Sequence, residues 1–123
     1  MRVYVASHCR WAGLHVASVL DGFGHHVNSN WLLEPFNSTD RYSDLDKIRI
    51  SKMDYWDIHE ADALVLIAGP DRYPGGKFVE AGIAIGLGKR VVVIGRRENM
   101  LLYHPAVHQV ETPLDAANLL INP

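Results

Sequence analysis

The sequence has little of what would mark a secreted, membrane-bound or nucleic-acid-coating protein. Its one cysteine, Cys9, excludes an intrachain disulfide and a cysteine-rich zinc site. The 12 lysines and arginines nearly balance the 14 aspartates and glutamates, so no global charge attracts nucleic acid or membrane. No apolar run approaches membrane-spanning length, and the opening residues lack a signal-peptide pattern. We therefore expect a cytoplasmic protein with no membrane or nucleic-acid polymer as partner.

The sequence also lacks the common signatures of metal and cofactor binding. Its seven histidines include no helical pair four residues apart beside an acidic ligand. Gly82, Gly86 and Gly88 lie along a predicted helix rather than at a strand-to-helix turn, so they do not form a dinucleotide fingerprint. We expect neither a metal nor an organic cofactor.

Apolar segments alternate with helical ones along the chain. The predicted strands cover 2–6, the surroundings of Val27, 63–68, 90–95 and 107–110. The first predicted helix ends near Leu20, and the other three cover 44–61, 77–87 and 112–121. This alternation predicts a parallel sheet with helices on both faces. We expect one domain over 1–123, a flavodoxin-like three-layer α/β sandwich with a five-stranded sheet in the order 2-1-3-4-5.

The helices and the polar segment between them carry further expectations. In the second helix, we expect these apolar residues to face inward in part: Leu45, Ile48, Met53, Trp56 and Ile58. The polar, proline-interrupted segment 34–43 is predicted to be a loop over the ligand site.

The carboxyl ends of the strands are where ligands bind in such sheets. That edge gathers segments 7–10, 69–76 and 95–99, and Glu80 follows the second of them. The neighbours of Glu80 are small or apolar, and the positive end of its helix would favour the ionised carboxylate. An ionised carboxylate in a walled pocket suits nucleophilic attack on a sugar carbon. The alternative is an ordinary acid in the first turns of a helix.

Two cations lie at predicted helix starts on the same edge. Arg10 and Lys77, together with free backbone N–H groups, can hold a phosphate there. Solvated surface charge is the alternative for both. Trp31 and Tyr73 are candidate surfaces for stacking a base, with ordinary packing as the alternative.

Several segments together carry a family resemblance that spans most of the chain. They read VYVAS, GHHVNSNWL, DYWDIHEADALVLIAG, GGKFVEAGIAIGLGKRVVVIG and RRENMLLYHPAV. The most specific part is an aspartate before an apolar strand, followed by a glycine-rich loop, Glu-Ala-Gly and Gly-Lys-Arg-Val. In these features the chain resembles the nucleoside 2-deoxyribosyltransferase superfamily, which includes 2′-deoxynucleoside 5′-phosphate N-hydrolases.

The resemblance implies roles for particular residues. Glu80 matches the family's nucleophile, Asp62 an aspartate that opens the third strand, and Tyr4 a tyrosine of the first strand. Asn99 matches an asparagine that reaches into a neighbouring subunit's site, which implies a homo-oligomer. The family's transferases often carry another acid a few residues before the nucleophile, whereas Asp71 here lies nine residues ahead. At the ligand edge, we expect substrate to be bound by Ser7, Arg10, Asp71, Gly75, Gly76, Lys77 and Asn99.

The function that follows is cleavage of the N-glycosidic bond of a nucleoside or nucleoside 5′-monophosphate through a glycosyl-enzyme on Glu80. The sequence is compatible with ribose or deoxyribose, and with hydrolysis or transfer to a second base. The alternative is a non-catalytic nucleotide sensor on the same scaffold, which would tolerate the loss of Glu80.

Overall fold

The computed structural model describes residues 1–35, 39–69 and 75–121 of the chain. Its strands are β1 (Arg2–Ala6), β2 (His26–Val27), β3 (Ala63–Ile67), β4 (Arg90–Ile94) and β5 (Val107–Val110). They form one sheet in the order β2-β1-β3-β4-β5, and every neighbouring pair is parallel. The flavodoxin-like fold and strand order predicted from the sequence are confirmed.

Three of the four α-helices in the described chain connect strands, and the fourth follows β5. They are α1 (Arg10–Gly22), α2 (Asp44–Glu60), α3 (Gly76–Gly86) and α4 (Pro113–Ile121), and short 3-10 helices cover Asn30–Leu33, Thr39–Arg41 and Met100–Tyr103. Ser43 caps α2 by accepting a hydrogen bond from the Asp46 backbone, and Thr112 caps α4 in the same way from Asp115. Within the described residues, no helix is long and apolar enough to cross a membrane.

The alternation of each buried strand divides the core between two faces of the sheet. Val3 and Val5 pack with α1 and α4 on one face, whereas Tyr4 and Ala6 pack with α2 and α3 on the other. Because Tyr4 is in the middle of β1 and on the second face, its side chain is directed beneath α3. The alternation of side chains along β1 therefore means that a site that includes Tyr4 can form only on the face covered by α2 and α3.

β2 has only two residues, so side chains supply the hydrogen-bond partners for the β1 backbone beyond the end of β2. Ser29 Oγ accepts a hydrogen bond of 2.6 Å from the Val5 backbone N–H, and Trp31 Nε1 donates one of 2.8 Å to the Val5 carbonyl. Asp57 of α2 accepts hydrogen bonds from the Asn30 backbone and side chain, which holds the 3-10 helix in place. Trp31 is therefore fixed as part of the wall beside β1.

The prediction for the inward face of α2 was largely wrong. Ile58 is buried, but Leu45, Ile48 and Trp56 are more than half exposed. Asp57 and Ala61 are buried beside Ile58, and the helical period places Asp54 on the same stripe. The side of α2 facing the sheet thus carries two acids, which hydrophobic patterning alone would assign to the solvent face.

Candidate active site

A buried tyrosine and a glutamate join β1 to α3 at the centre of the candidate site. Tyr4 is fully buried, and its hydroxyl donates a short hydrogen bond to Oε2 of Glu80. Glu80 lies in the second turn of α3, on the side that faces the sheet. Of the three residues expected to be catalytic, the structure brings Tyr4 and Glu80 together.

The environment of Glu80 opposes its ionisation. Burial raises the pKa of its carboxyl from 4.5 to about 8, the hydrogen bond from Tyr4 acts in the opposite direction, and the charge of Asp54 raises it further. The sequence predicted that the helix dipole would favour the ionised form. Glu80 is beyond the first turn, where the dipole acts most strongly, so desolvation has the larger effect.

Tyr4 is a permanent hydrogen-bond donor. Burial, followed by the charges of Glu80 and Asp54, raises the pKa of its phenol far above the usual range. The hydroxyl therefore keeps its proton at any physiological pH. Because it donates to Glu80, it stabilises the ionised carboxylate at that position and fixes one of its two oxygens.

Asp54 of α2 is the acid that the sequence analysis missed. Burial raises the pKa of its carboxyl to about 7, with smaller contributions from the charges of Asp57 and Glu34. Its Oδ1 is buried and has no hydrogen-bond partner among the described residues. The available signal was its position, four residues before the buried Ile58 and seven before the buried Ala61. An acid on the buried stripe of a helix is a candidate for chemistry.

The carboxyl end of β1 holds the best candidate for an anion contact. Arg10 is the first residue of α1, and its Nε and Nη2 are buried without a hydrogen-bond partner in the described chain. A buried guanidinium without hydrogen-bond partners is stabilised when an anion binds to it. Ser7 Oγ both accepts from the Cys9 N–H and donates to the Cys9 carbonyl, so this hydroxyl shapes the turn before Arg10.

Lys77 does not offer the free cation that the sequence predicted. Its side chain is buried, and its Nζ lies 2.9 Å from Oε1 of Glu98, which neutralises its charge. Gly75 precedes α3 and lies against the ring of Phe78, where any side chain would collide with the ring. Gly76, the first residue of α3, is exposed and has open space around it. Of this group, the glycines remain candidates for contact with a ligand.

The structure does not bring Asp62 to the candidate site. It is exposed at the amino end of β3, and its Oδ2 accepts a hydrogen bond of 2.8 Å from the Arg2 backbone N–H. That contact ties the starts of two parallel strands, at the edge opposite the one where ligands bind. The catalytic role expected for Asp62 is therefore corrected to a structural one.

The other predicted residues fall into two groups. Asn99 accepts a hydrogen bond through Oδ1 from the Leu102 backbone and so caps its own 3-10 helix. Asp71 and Tyr73 lie outside the described residues. No cluster of three metal-ligating side chains occurs within 1–35, 39–69 and 75–121.

An open cavity of about 530 Å³ lies elsewhere, between the β2 edge and the end of α2. Its lining comprises Arg2, His26, Val27, Asn28, Asn30, Leu33, Trp56, Asp57 and Glu60. Neither Tyr4 nor Glu80 lines it, so this cavity is separate from the candidate site described above.

Two solved structures resemble the chain over nearly its whole length. The 2-deoxyribosyltransferase of Bacillus psychrosaccharolyticus is 25% identical with a TM-score of 0.75, and the match covers 96% of this chain and 91% of that one. The CMP N-glycosidase BcmB of Clostridium botulinum is 18% identical with a TM-score of 0.65, and the match covers 98% and 99% of the two chains. Neither a family model nor a curated protein matches the sequence.

These likenesses support the nucleoside 2-deoxyribosyltransferase-like superfamily, which confirms the resemblance predicted from the sequence. The shared fold extends over the whole sheet and its helices.

We expect Glu80→Gln to change how stability depends on pH. The folded pKa of Glu80, about 8, lies above its unfolded value of 4.5. Between these values the unfolded state binds fewer protons, so wild-type stability falls as pH rises from about 4.5 to 8. Glutamine removes this contribution, and the Tm of the variant relative to wild type should rise by on the order of 15 °C over that range. Thermal unfolding measured at several pH values checks this, with Glu111→Gln at an exposed acid as the control. The same dependence of Tm on pH in wild type and Glu80→Gln would show that the pKa of Glu80 is not raised in the folded protein.

Proposed function

We propose that this protein cleaves the N-glycosidic bond of a nucleoside or nucleoside 5′-monophosphate through a covalent glycosyl intermediate on Glu80. The observation that carries the proposal is the buried hydrogen bond between Tyr4 and Glu80, with Asp54 in the same electrostatic cluster. The 2-deoxyribosyltransferase and the N-glycosidase that share the fold support this class of reaction.

The two carboxyls are suited to divide the work between a nucleophile and an acid. Their pKa values, about 7 for Asp54 and about 8 for Glu80, mean that the pair holds about one proton between pH 7 and 8. Glu80 has the higher pKa of the two despite the hydrogen bond from Tyr4, so the shared proton rests mainly on Glu80 in the free enzyme. The reactive form is the one in which Asp54 holds this proton and Tyr4 stabilises the ionised Glu80. A pair in this state has one nucleophile and one general acid.

The first step forms a bond between Glu80 and C1′. The oxygen of Glu80 that Tyr4 does not hold attacks C1′, the C1′–N bond breaks, and its electron pair goes to the base. Asp54 gives its proton to the departing base as a general acid. The transition state resembles an oxocarbenium ion, which the ionised Glu80 stabilises electrostatically.

The second step restores the enzyme. Asp54, now a carboxylate, takes a proton from water or from an incoming base as that nucleophile attacks C1′. The bond between C1′ and Glu80 breaks, and the electron pair returns to the carboxylate. Attack by water gives hydrolysis and attack by a second base gives transfer; both follow the two-step course of retaining glycosidases.

We also propose that the active unit is a homo-oligomer. Met100, Leu101 and Tyr103 are 84%, 66% and 67% exposed beside the Asn99 cap, whereas Leu102 between them is buried. This apolar surface suits a contact between copies of the chain, which would place Asn99 near a neighbouring site. A monomer found by sizing at assay concentrations would remove this part of the proposal.

Glu80→Gln should reduce base release about 10³-fold or more, because the amide oxygen is a poor nucleophile. The assay is chromatography of free base after incubation with a panel of nucleosides and their 5′-monophosphates. Asp62→Asn is the matched control, since it also neutralises one acid but lies at the opposite edge of the sheet. It should keep activity within about twofold.

Turnover by Glu80→Gln at the wild-type rate would exclude Glu80 as the nucleophile. Tight nucleotide binding by the wild type without any base release would instead favour the nucleotide sensor.

Arg10→Gln should raise KM for a 5′-monophosphate about 10- to 100-fold, because charge-assisted contacts to phosphate contribute about 1.5–3 kcal/mol. The free nucleoside should be affected about twofold or less. Steady-state kinetics on both substrates measure this difference. Arg96→Ala, which removes an exposed cation from the segment after β4, controls for overall charge. Equal losses on nucleoside and nucleotide would remove Arg10 from the phosphate site.

A further inference from the structure

A buried ion pair lies one helical turn from Glu80. Lys77 Nζ and Glu98 Oε1 are 2.9 Å apart, and the two side chains are 2% and 5% exposed. Neither residue contacts the solvent enough to act as a surface charge. The pair is therefore part of the interior between α3 and the segment that follows β4.

The same two side chains also hold the backbone at the end of β3. Lys77 Nζ donates a hydrogen bond of 3.2 Å to the carbonyl of Ile67, the last residue of β3. The backbone N–H of Gly69 donates one of 3.3 Å to Glu98 Oε1. The Lys77–Glu98 pair thus joins the end of β3, the first turn of α3 and the segment after β4.

Stability alone is a poor reason for this arrangement. Ala81 and Ala84 already pack α3 against the sheet, and buried ion pairs are often replaceable by apolar residues with little loss of stability. The second oxygen of Glu98, Oε2, is buried without a hydrogen-bond partner in the described chain, which is itself unfavourable. What the pair supplies is a fixed position for the first turn of α3.

We infer that the Lys77–Glu98 pair positions the Glu80 carboxylate against the Tyr4 hydroxyl. Lys77 and Glu80 are three residues apart, so they are neighbours on the same side of the helix. A shift of the first turn along the sheet moves Glu80 with it, while Tyr4 stays fixed in β1. Lys77 and Glu98 are positioning residues here, and neither touches the reacting atoms. This inference rests on the proposed function of Glu80 and deepens it.

The test compares Glu98→Gln, the double variant Lys77→Met/Glu98→Leu, and Leu120→Ala as a control. Leu120 is a buried residue of α4 on the opposite face of the sheet. Its truncation should lower stability without changing the packing of α3. Three quantities are measured for each protein: Tm, the separate values of kcat and KM, and the ¹³Cζ resonance of labelled Tyr4, assigned with Tyr4→Phe. The resonance reports the hydrogen bond of the tyrosine hydroxyl without any need for turnover.

Glu98→Gln should lower kcat about 10- to 100-fold with KM within about threefold, because misplacement of about 1 Å is enough for such a loss. The Tyr4 resonance should shift. In the double variant, which replaces the ion pair with apolar side chains, Tm should be closer to the wild-type value than in Glu98→Gln. Its kcat should stay low and its Tyr4 resonance should stay shifted. Leu120→Ala should lower Tm but leave kcat and the resonance unchanged at temperatures well below its transition.

Three results would overturn the inference. They are an unshifted Tyr4 resonance in Glu98→Gln, recovery of kcat together with Tm in the double variant, and a change confined to KM. If Glu98→Gln does not fold, the double variant decides through the same measurements. If the wild type releases no base from any substrate, the proposed function fails, and the Tyr4 resonance still decides whether the pair positions Glu80.

Discussion

The hydrogen bond between Tyr4 and Glu80 is the contact on which the candidate site depends. A carboxylate taken out of water needs a donor, and a phenol that never ionises supplies one without adding a charge. The donor comes from the most buried part of the molecule, in the middle of β1, so its position is set by the sheet. Lys77, Glu98 and Asp54 act on this contact, because they hold the helix that carries Glu80 or change its pKa.

Two helices share that task on one face of the sheet. α3 carries Glu80, and its first turn is tied to the ends of β3 and β4 through Lys77 and Glu98. α2 contributes Asp54, whose charge raises the pKa of Glu80. Burial raises the pKa of Asp54 itself to about 7. On the opposite face, the buried residues of α1 and α4 pack against the sheet through apolar side chains. The residues of the proposed Tyr4–Glu80–Asp54 cluster therefore all lie on one face of the sheet.

The sequence predicted the fold well because buried parallel strands are continuous apolar runs, and their alternation with helices limits the topology. It also proposed Glu80 and Tyr4 as site residues, and the structure places these two side chains in hydrogen-bond contact. It misassigned Lys77 and Asp62 because charged residues at element ends are ambiguous until their partners are known, and both partners, Glu98 and the Arg2 backbone, are distant in sequence. Asp54 was missed because hydrophobic patterning assigns acids to the solvent face, whereas a site acid occupies the buried one.

The central claim is that Glu80 forms a covalent bond with the sugar, and trapping that bond tests it most directly. A 2-fluoro-substituted substrate destabilises an oxocarbenium-like transition state and so slows the release of the intermediate. Intact-mass measurement should show a gain equal to one fluorinated glycosyl group, and peptide mapping should place it on Glu80. The gain should be absent from Glu80→Gln. Release of base from this substrate with no adduct during turnover, or an adduct on another residue, would contradict the account.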